Sequence, residues 1–221
     1  IFRLKRKIVF DSLAIGMSPF LMNLAACFIV IIINQGLKKY GGDLAIGAFG
    51  IVNRLVFIVV MIVMGLNQGM QPIAGYNFGA KLYGRVNKVL RLTIIYATAV
   101  TTFGFLVGML VPDLVVGIFT SDAELTELSV TGLRITVMFF PIIGFQMVTS
   151  NFFQSIGMAG KAIFLSLTRQ MLILLPCLLV LPQFFGVAGV WYSMPVSDLL
   201  ASLIALVMLV CQFRKFRTSP L

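Results

Sequence analysis

GLNQGMQPIAGYNFGAK, residues 65–81, closes a long apolar run with amides and helix-loosening residues. Asn67, Gln68 and Gln71 come first, then Pro72, then Gly75 and Gly79, then Lys81. A simple membrane anchor ends in Leu, Trp or Tyr and stops. Here hydrogen-bonding side chains occupy the last turns, and Pro72 has no N–H while its ring crowds the carbonyl of Gln68. Polar groups at membrane depth persist only where protein or a water-lined cavity satisfies them. The stretch predicts a bilayer protein with a polar interior. Asn67, Gln68 and Gln71 are expected in a cavity wall, and residues 72–81 in a hinge and topology anchor.

Composition agrees. The chain has 221 residues, 60% hydrophobic and 11% charged, with a mean hydropathy of +1.06. Soluble domains are about 25% charged, so lipid must solvate most of this chain. A crossing takes about 20 residues, which leaves room for six crossings and no further domain. The fold class expected is an all-α integral membrane protein, a six-transmembrane-helix bundle forming a single lobe over residues 1–221. Its helices fall near 13–34, 44–71, 92–112, 129–156, 162–181 and 187–212. Residues 38–43 and 157–161 read as short turns, 81–91 as a basic loop, and 113–127 as an acidic connection.

The net charge of +10 does not point to nucleic acid, because the basic residues fall in short clusters between apolar runs. With both termini cytoplasmic, one side receives Arg3, Lys5, Arg6, Lys7, Lys81, Arg85, Lys88, Arg91, Lys161, Arg214, Lys215 and Arg217. The other receives only Lys38 and Lys39. The positive-inside rule selects that orientation in a plasma or inner membrane. A lipoprotein box at residues 24–27 is set aside because the apolar run continues past it, longer than a signal-peptide core. The start at Ile1 rather than Met suggests that sequence precedes it.

The polar residues inside the spans are the candidate site. Asn23, Cys27 and Asn34 share a stripe on the first helix, which Pro19 can kink. Asn53, Val60, Met64, Asn67 and Gln71 follow a period near 3.5 on the second. Gln146, Ser150 and Gln154 are four apart on the fourth, with Pro141 and Gly144 placed to bend it. Ser166 and Gln170 are four apart on the fifth. On the sixth, Pro195 opens the backbone beside Asp198, a candidate for pairing with an arginine or for holding a coupling ion. Interhelical hydrogen bonds of about 1 kcal/mol could account for any one stripe. Four striped helices with proline or glycine breaks fit a water-accessible cavity between mobile helices better. The substrate-binding set expected is Asn23, Asn53, Met64, Asn67, Gln68, Gln71, Gln146, Ser150, Gln154 and Gln170. Arg54, Arg134 and Arg169 lie near helix ends on this map and are expected to snorkel. Gly65-x3-Gly69 and Gly104-x3-Gly108 would allow close helix approach. Histidine is absent, Cys27, Cys177 and Cys211 have no metal or redox spacing, and there is no P-loop at Lys161. No enzyme, no metal site and no cofactor are expected.

Residues 68–81 closely resemble the eighth-helix and loop signature of multidrug and toxic compound extrusion (MATE) transporters. Asn151 to Gly157 with Gly160-Lys161 resembles the family's tenth helix and next loop. Gly189-Val190-Trp191 with Pro195 to Asp198 resembles its twelfth. The resemblance implies a cation-coupled antiporter (H+ or Na+) that exports amphipathic or cationic small molecules by alternating access between two lobes. This chain would be the C-terminal lobe, helices seven to twelve of a twelve-helix, pseudo-twofold protein, with the N-terminal six-helix lobe as its missing partner. Some members carry an embedded acid in the seventh and tenth helices. Here those helices lack one: Cys27 and Phe145-Gln146 lie near the expected places, so the resemblance puts cation coupling in the other lobe. The alternatives are a lipid-linked oligosaccharide flippase of the same superfamily, which would want a more cationic cavity, the membrane domain of an ATP-driven exporter, which would want longer cytoplasmic extensions, and a purely structural membrane subunit.

Overall fold

The structure is a computed structural model that describes the backbone of residues 6–218. Within that range the side chains are described except at 7, 8, 11–19, 22 and 214–218. The basic residues Arg3, Lys5 and Lys7, the kink expected at Pro19, and the side chains of Arg214, Lys215 and Arg217 lie outside the described residues. The order is α1 (6–41), α2 (43–79), α3 (Tyr83–Leu110), α4 (Pro112–Gly117), α5 (Ala123–Val137), α6 (Phe140–Ser155), α7 (Ala159–Phe185) and α8 (Val187–Thr218).

A continuous helical run, Arg6–Gly79, is broken only at Gly42, which sits at φ 68° and ψ −163°. That conformation is open essentially to glycine alone. The break is a reversal: Val30 and Val52 line one cavity, as do Ile33 and Phe49. Unbroken helix would hold Val30 and Val52 about 33 Å apart. The turn expected over 38–43 is thus a single residue, and helix continues through Lys38 and Lys39.

Among the described residues, four helical stretches are long and apolar enough to cross a membrane: Asn23–Gly79, Tyr83–Leu110, Ala159–Phe185 and Val187–Phe213. Ala123–Val137 and Phe140–Ser155 form a further crossing bent by 55°. With the first stretch divided at Gly42, the crossings number six. The chain is a multi-pass membrane protein with an all-helical fold.

Four other expectations change at the backbone. Pro72 does not hinge α2, which runs on to Gly79, and the reversal uses Lys81 at φ 59°. Residues 83–91 are not a loop but the first turns of α3. The connection 113–127 holds α4 and the start of α5, whose N-terminus is capped by Asp122 Oδ1 accepting from the Leu125 N–H at 2.8 Å. Pro182 lies inside α7, which ends at Gly186 with φ 58°.

Lipid offers helices little hydrophobic reason to associate, so small residues and close packing hold the bundle. A Cβ on Gly144 would stand 2.7 Å from Thr101 Oγ1 and 2.8 Å from the Ala97 carbonyl oxygen. Gly144 is therefore the seat for α3 on α6 rather than a bend. A Cβ on Gly108 would meet Val137 at 3.0 Å, and one on Gly104 would meet Val59 at 2.9 Å, so that glycine pair is a packing seam. Gly65 and Gly69 face open space and make no such seam. Two apolar clusters fill the bundle. One holds Leu37, Ala48, Phe49, Leu133 and Trp191, and the other Met70, Ala74, Leu90, Phe152 and Phe153.

Candidate functional site

A cavity of about 220 Å³ lies against the first of these clusters, walled by its Ile33, Phe49, Val52, Phe140 and Ile143, and all six crossings contribute to its wall. Its polar lining is Asn53 of α2, Thr101 of α3, Thr136 of α5, Arg169 of α7, and Ser197 and Asp198 of α8. The rest is apolar, including Val52, Phe140, Ile143, Met147 and Met194.

Arg169 and Asp198 form its charged centre. The Arg169 Nε–H donates to Asp198 Oδ1 at 2.7 Å, the one ion pair among the described residues. Asp198 is buried, whereas the Arg169 side chain is about one-third exposed. Two local features place them. Residues Thr168–Leu174 form a π-helix, and the Leu175 N–H bonds to the Gln170 carbonyl five residues back. Pro176 follows at once, and its ring would clash with the Leu172 carbonyl in an ordinary α-turn. Widening the turn avoids the clash. In α8, Pro195 stays inside the helix, leaving the Trp191 carbonyl without its usual ladder donor. The Ser193 hydroxyl donates to the Gly189 carbonyl, Ser197 to Met194, and Ser202 to Asp198.

The cavity hydroxyls are tied to their own helices. Thr101 donates to the Ala97 carbonyl at 3.0 Å and Thr136 to Gly132 at 2.8 Å. With their protons used on the backbone, these hydroxyls keep only acceptor capacity.

Of the ten residues expected to bind substrate, the cavity wall includes Asn53, and it also includes Asp198. Asn23, Met64 and Gln68 are exposed on the lobe surface. Gln71 and Gln154 are half-buried, and Gln146 is buried. Asn67 is buried with neither Nδ2 nor Oδ1 hydrogen-bonded, and Ser150 Oγ is likewise buried and unpaired. Gln170 lies in the π-segment with Oε1 unpaired. The stripe on α2 thus splits: Asn53 lines the cavity, Met64 looks outward and Asn67 turns into the bundle. Arg169 does not snorkel, because Asp198 holds it inside. Sequence reading did not select Arg169, Thr101, Thr136 or Ser197. The available signal was position: Arg169 is well inside α7, not near its end. Among the described residues, no three Cys, Asp or Glu side chains gather to hold a metal.

Six crossings around a central cavity with a charged pair in its wall define a polytopic helical membrane protein. Residues 17–179 match the MatE family model, and the chain belongs to that family. It is 27% identical to the multidrug export protein MepA of Staphylococcus aureus strain MSSA476, over 91% of this chain and 44% of that protein. MepA of Staphylococcus saprophyticus is 24% identical over the same shares. Among solved structures, the MATE multidrug transporter DinF-BH in complex with R6G is similar, with a TM-score of 0.85 and 34% identity over 98% of this chain and 49% of that one. An outward-facing MATE transporter of the MOP superfamily shares the fold at a TM-score of 0.89 and 19% identity, over 99% of this chain and 49% of its own. An inward-facing one does so at 0.87 and 19%, over 99% and 51%. The chain spans about half the length of the relatives it matches.

Proposed function

We propose that this chain works as one six-helix lobe of a secondary transporter that exports amphipathic or cationic small molecules in exchange for H+ or Na+. The observation that carries the reading is the near-equal likeness of its fold to halves of an outward-facing and an inward-facing transporter. A lobe that matches both states moves as a unit, and access alternates by rocking against a second lobe. Export is supported by the relatives, described as multidrug export proteins, and by the R6G complex of the 34% identical structure.

In this reading the exposed Asn23, Met64 and Gln68 line the chamber between lobes, and Asn53 links that chamber to the cavity. Asn67, Gln71, Gln146, Ser150, Gln154 and Gln170 form the polar layer behind it. The methionines give an adaptable apolar wall. Asp198, already neutralised by Arg169, is a poor sole coupling ion site, so the main coupling acid belongs to the second lobe. Both termini face the cytoplasm, as the charge bias demands.

The test is R6G efflux from cells expressing the transporter with both lobes. Collapsing the proton and sodium gradients together should abolish efflux. Efflux that continues unchanged would rule out antiport.

A further inference from the structure

An open groove on the lobe lies away from the central cavity, on the face that holds the α2–α3 turn. It encloses about 810 Å³ between the first turns of α3 and the end of α8. Its rim is Gly84, Asn87, Lys88 and Arg91, and its trough is Leu92, Ile94, Ile95 and Phe213.

Three features of this groove agree. The rim is cationic and unopposed: Lys88 and Arg91 are exposed, and neither forms an ion pair among the described residues. No acid lies in the first turn of α3, and its N-terminus has no side-chain cap, so the positive end of the helix dipole adds to the rim. The trough then continues along α3 in the direction that enters the membrane. Leu92 and Ile95 lie about one to two turns beyond Lys88, or roughly 6–10 Å. Cation above and apolar channel below, at the depth where headgroups meet acyl chains, match one kind of occupant. A nucleic acid or an acidic peptide would use the rim and leave the trough empty.

We propose that this groove binds an anionic phospholipid, with its phosphate on Lys88, Arg91 and Asn87 and an acyl chain against Ile95 and Phe213. Such a lipid would add a bridge between α3 and α8 beside the apolar cluster that Phe213 shares with Val86 and Leu90. Its absence loosens the end of the lobe that turns during transport.

The test measures the thermal stability of the full chain in detergent as phosphatidylglycerol, phosphatidylcholine or inorganic phosphate is added. Phosphatidylglycerol should raise the melting midpoint, and the other two should not. In Lys88→Gln/Arg91→Gln the apparent affinity for phosphatidylglycerol should fall by about tenfold or more, while Lys38→Gln/Lys39→Gln at the opposite turn keeps it. Ile95→Trp fills the trough, leaves the charges in place, and should also abolish the shift, which serves if the double charge variant does not fold. An equal response to phosphatidylcholine would overturn the proposal. So would a full shift with phosphate alone, or retention of the shift in both groove variants.

Discussion

Arg169 and Asp198 are worth most where they are least exchangeable singly. Removing one partner of a buried pair costs about 3–5 kcal/mol, whereas replacing both by apolar residues is close to neutral. The two ends differ here, because Asp198 is buried and Arg169 is partly exposed. Arg169→Met strands a buried carboxylate without its partner, while Asp198→Leu leaves a guanidinium that is already partly exposed. Arg169→Met should therefore lower thermal stability in detergent more than Asp198→Leu, and the double variant should recover most of the loss. Equal losses in the two single variants would contradict this placement. Gly132 gives a second test at this scale. A Cβ there would lie 2.6 Å from the Trp191 ring, which is buried and packed on Phe49 with 5.9 Å between ring centroids. Gly132→Ala should cost about 1–3 kcal/mol by overpacking, read as a lower melting midpoint with the fold retained. Asp198 stood out in the sequence as a lone acid in an apolar helix. Its partner did not, because a guanidinium has the reach either to snorkel or to pair, and only a neighbour decides which.

Helices in this bundle are interrupted for separable reasons. At Gly42 the cause is purely conformational, since a Cβ would touch nothing within 4 Å. At its neighbour Gly41, where the helix is not broken, the demand for glycine is steric, since a Cβ would meet Ala45 Cβ and Val187 each at 2.6 Å. Gly42→Ala should cost about 1–3 kcal/mol through backbone strain, and Val187→Ala should not relieve it. Gly41→Ala should be relieved in part by Val187→Ala. Thermal stability of the four variants separates strain from clash. The π-segment of α7 follows from Pro176, so Pro176→Ala should let the helix tighten and turn Arg169 away from Asp198. Efflux should fall more than stability does. These two elements were unequally legible. The glycine-glycine pair announced a turn, but helix through Lys38 and Lys39 was hidden because their charge resembles a loop. The widened turn left no trace in a hydropathy profile, which records burial and not hydrogen-bond spacing.

Across the molecule, the bundle is fastened at one end and holds a cavity at its middle. Lys161 donates to Gln212 Oε1 and lies 5.3 Å from the Phe153 ring centroid, fastening the α6–α7 turn to α8. Gly75 approaches the Ser155 carbonyl so closely that a Cβ would stand 2.9 Å away. Both contacts lie on the face that holds Lys81. The positive-inside assignment puts that face in the cytoplasm. With Cys27, Cys177 and Cys211 replaced by alanine, Lys81→Cys should resist a membrane-impermeant maleimide in intact cells, and Lys38→Cys should react. The reverse pattern would invert the topology.

Span number, apolar length and charge bias were set by the sequence alone, because each depends on how a residue partitions between lipid and water. That preference is local, and it survives errors of several residues at helix ends. Side-chain company is not local. Asn53 reaches the cavity while Asn67 faces the bundle, although one period joins them, because the neighbours of α2 change along its length. The 55° bend after Val137 and the π-turn before Pro176 each shift the helical phase. Only the packed structure, with those phases resolved, could bring Arg169 onto Asp198.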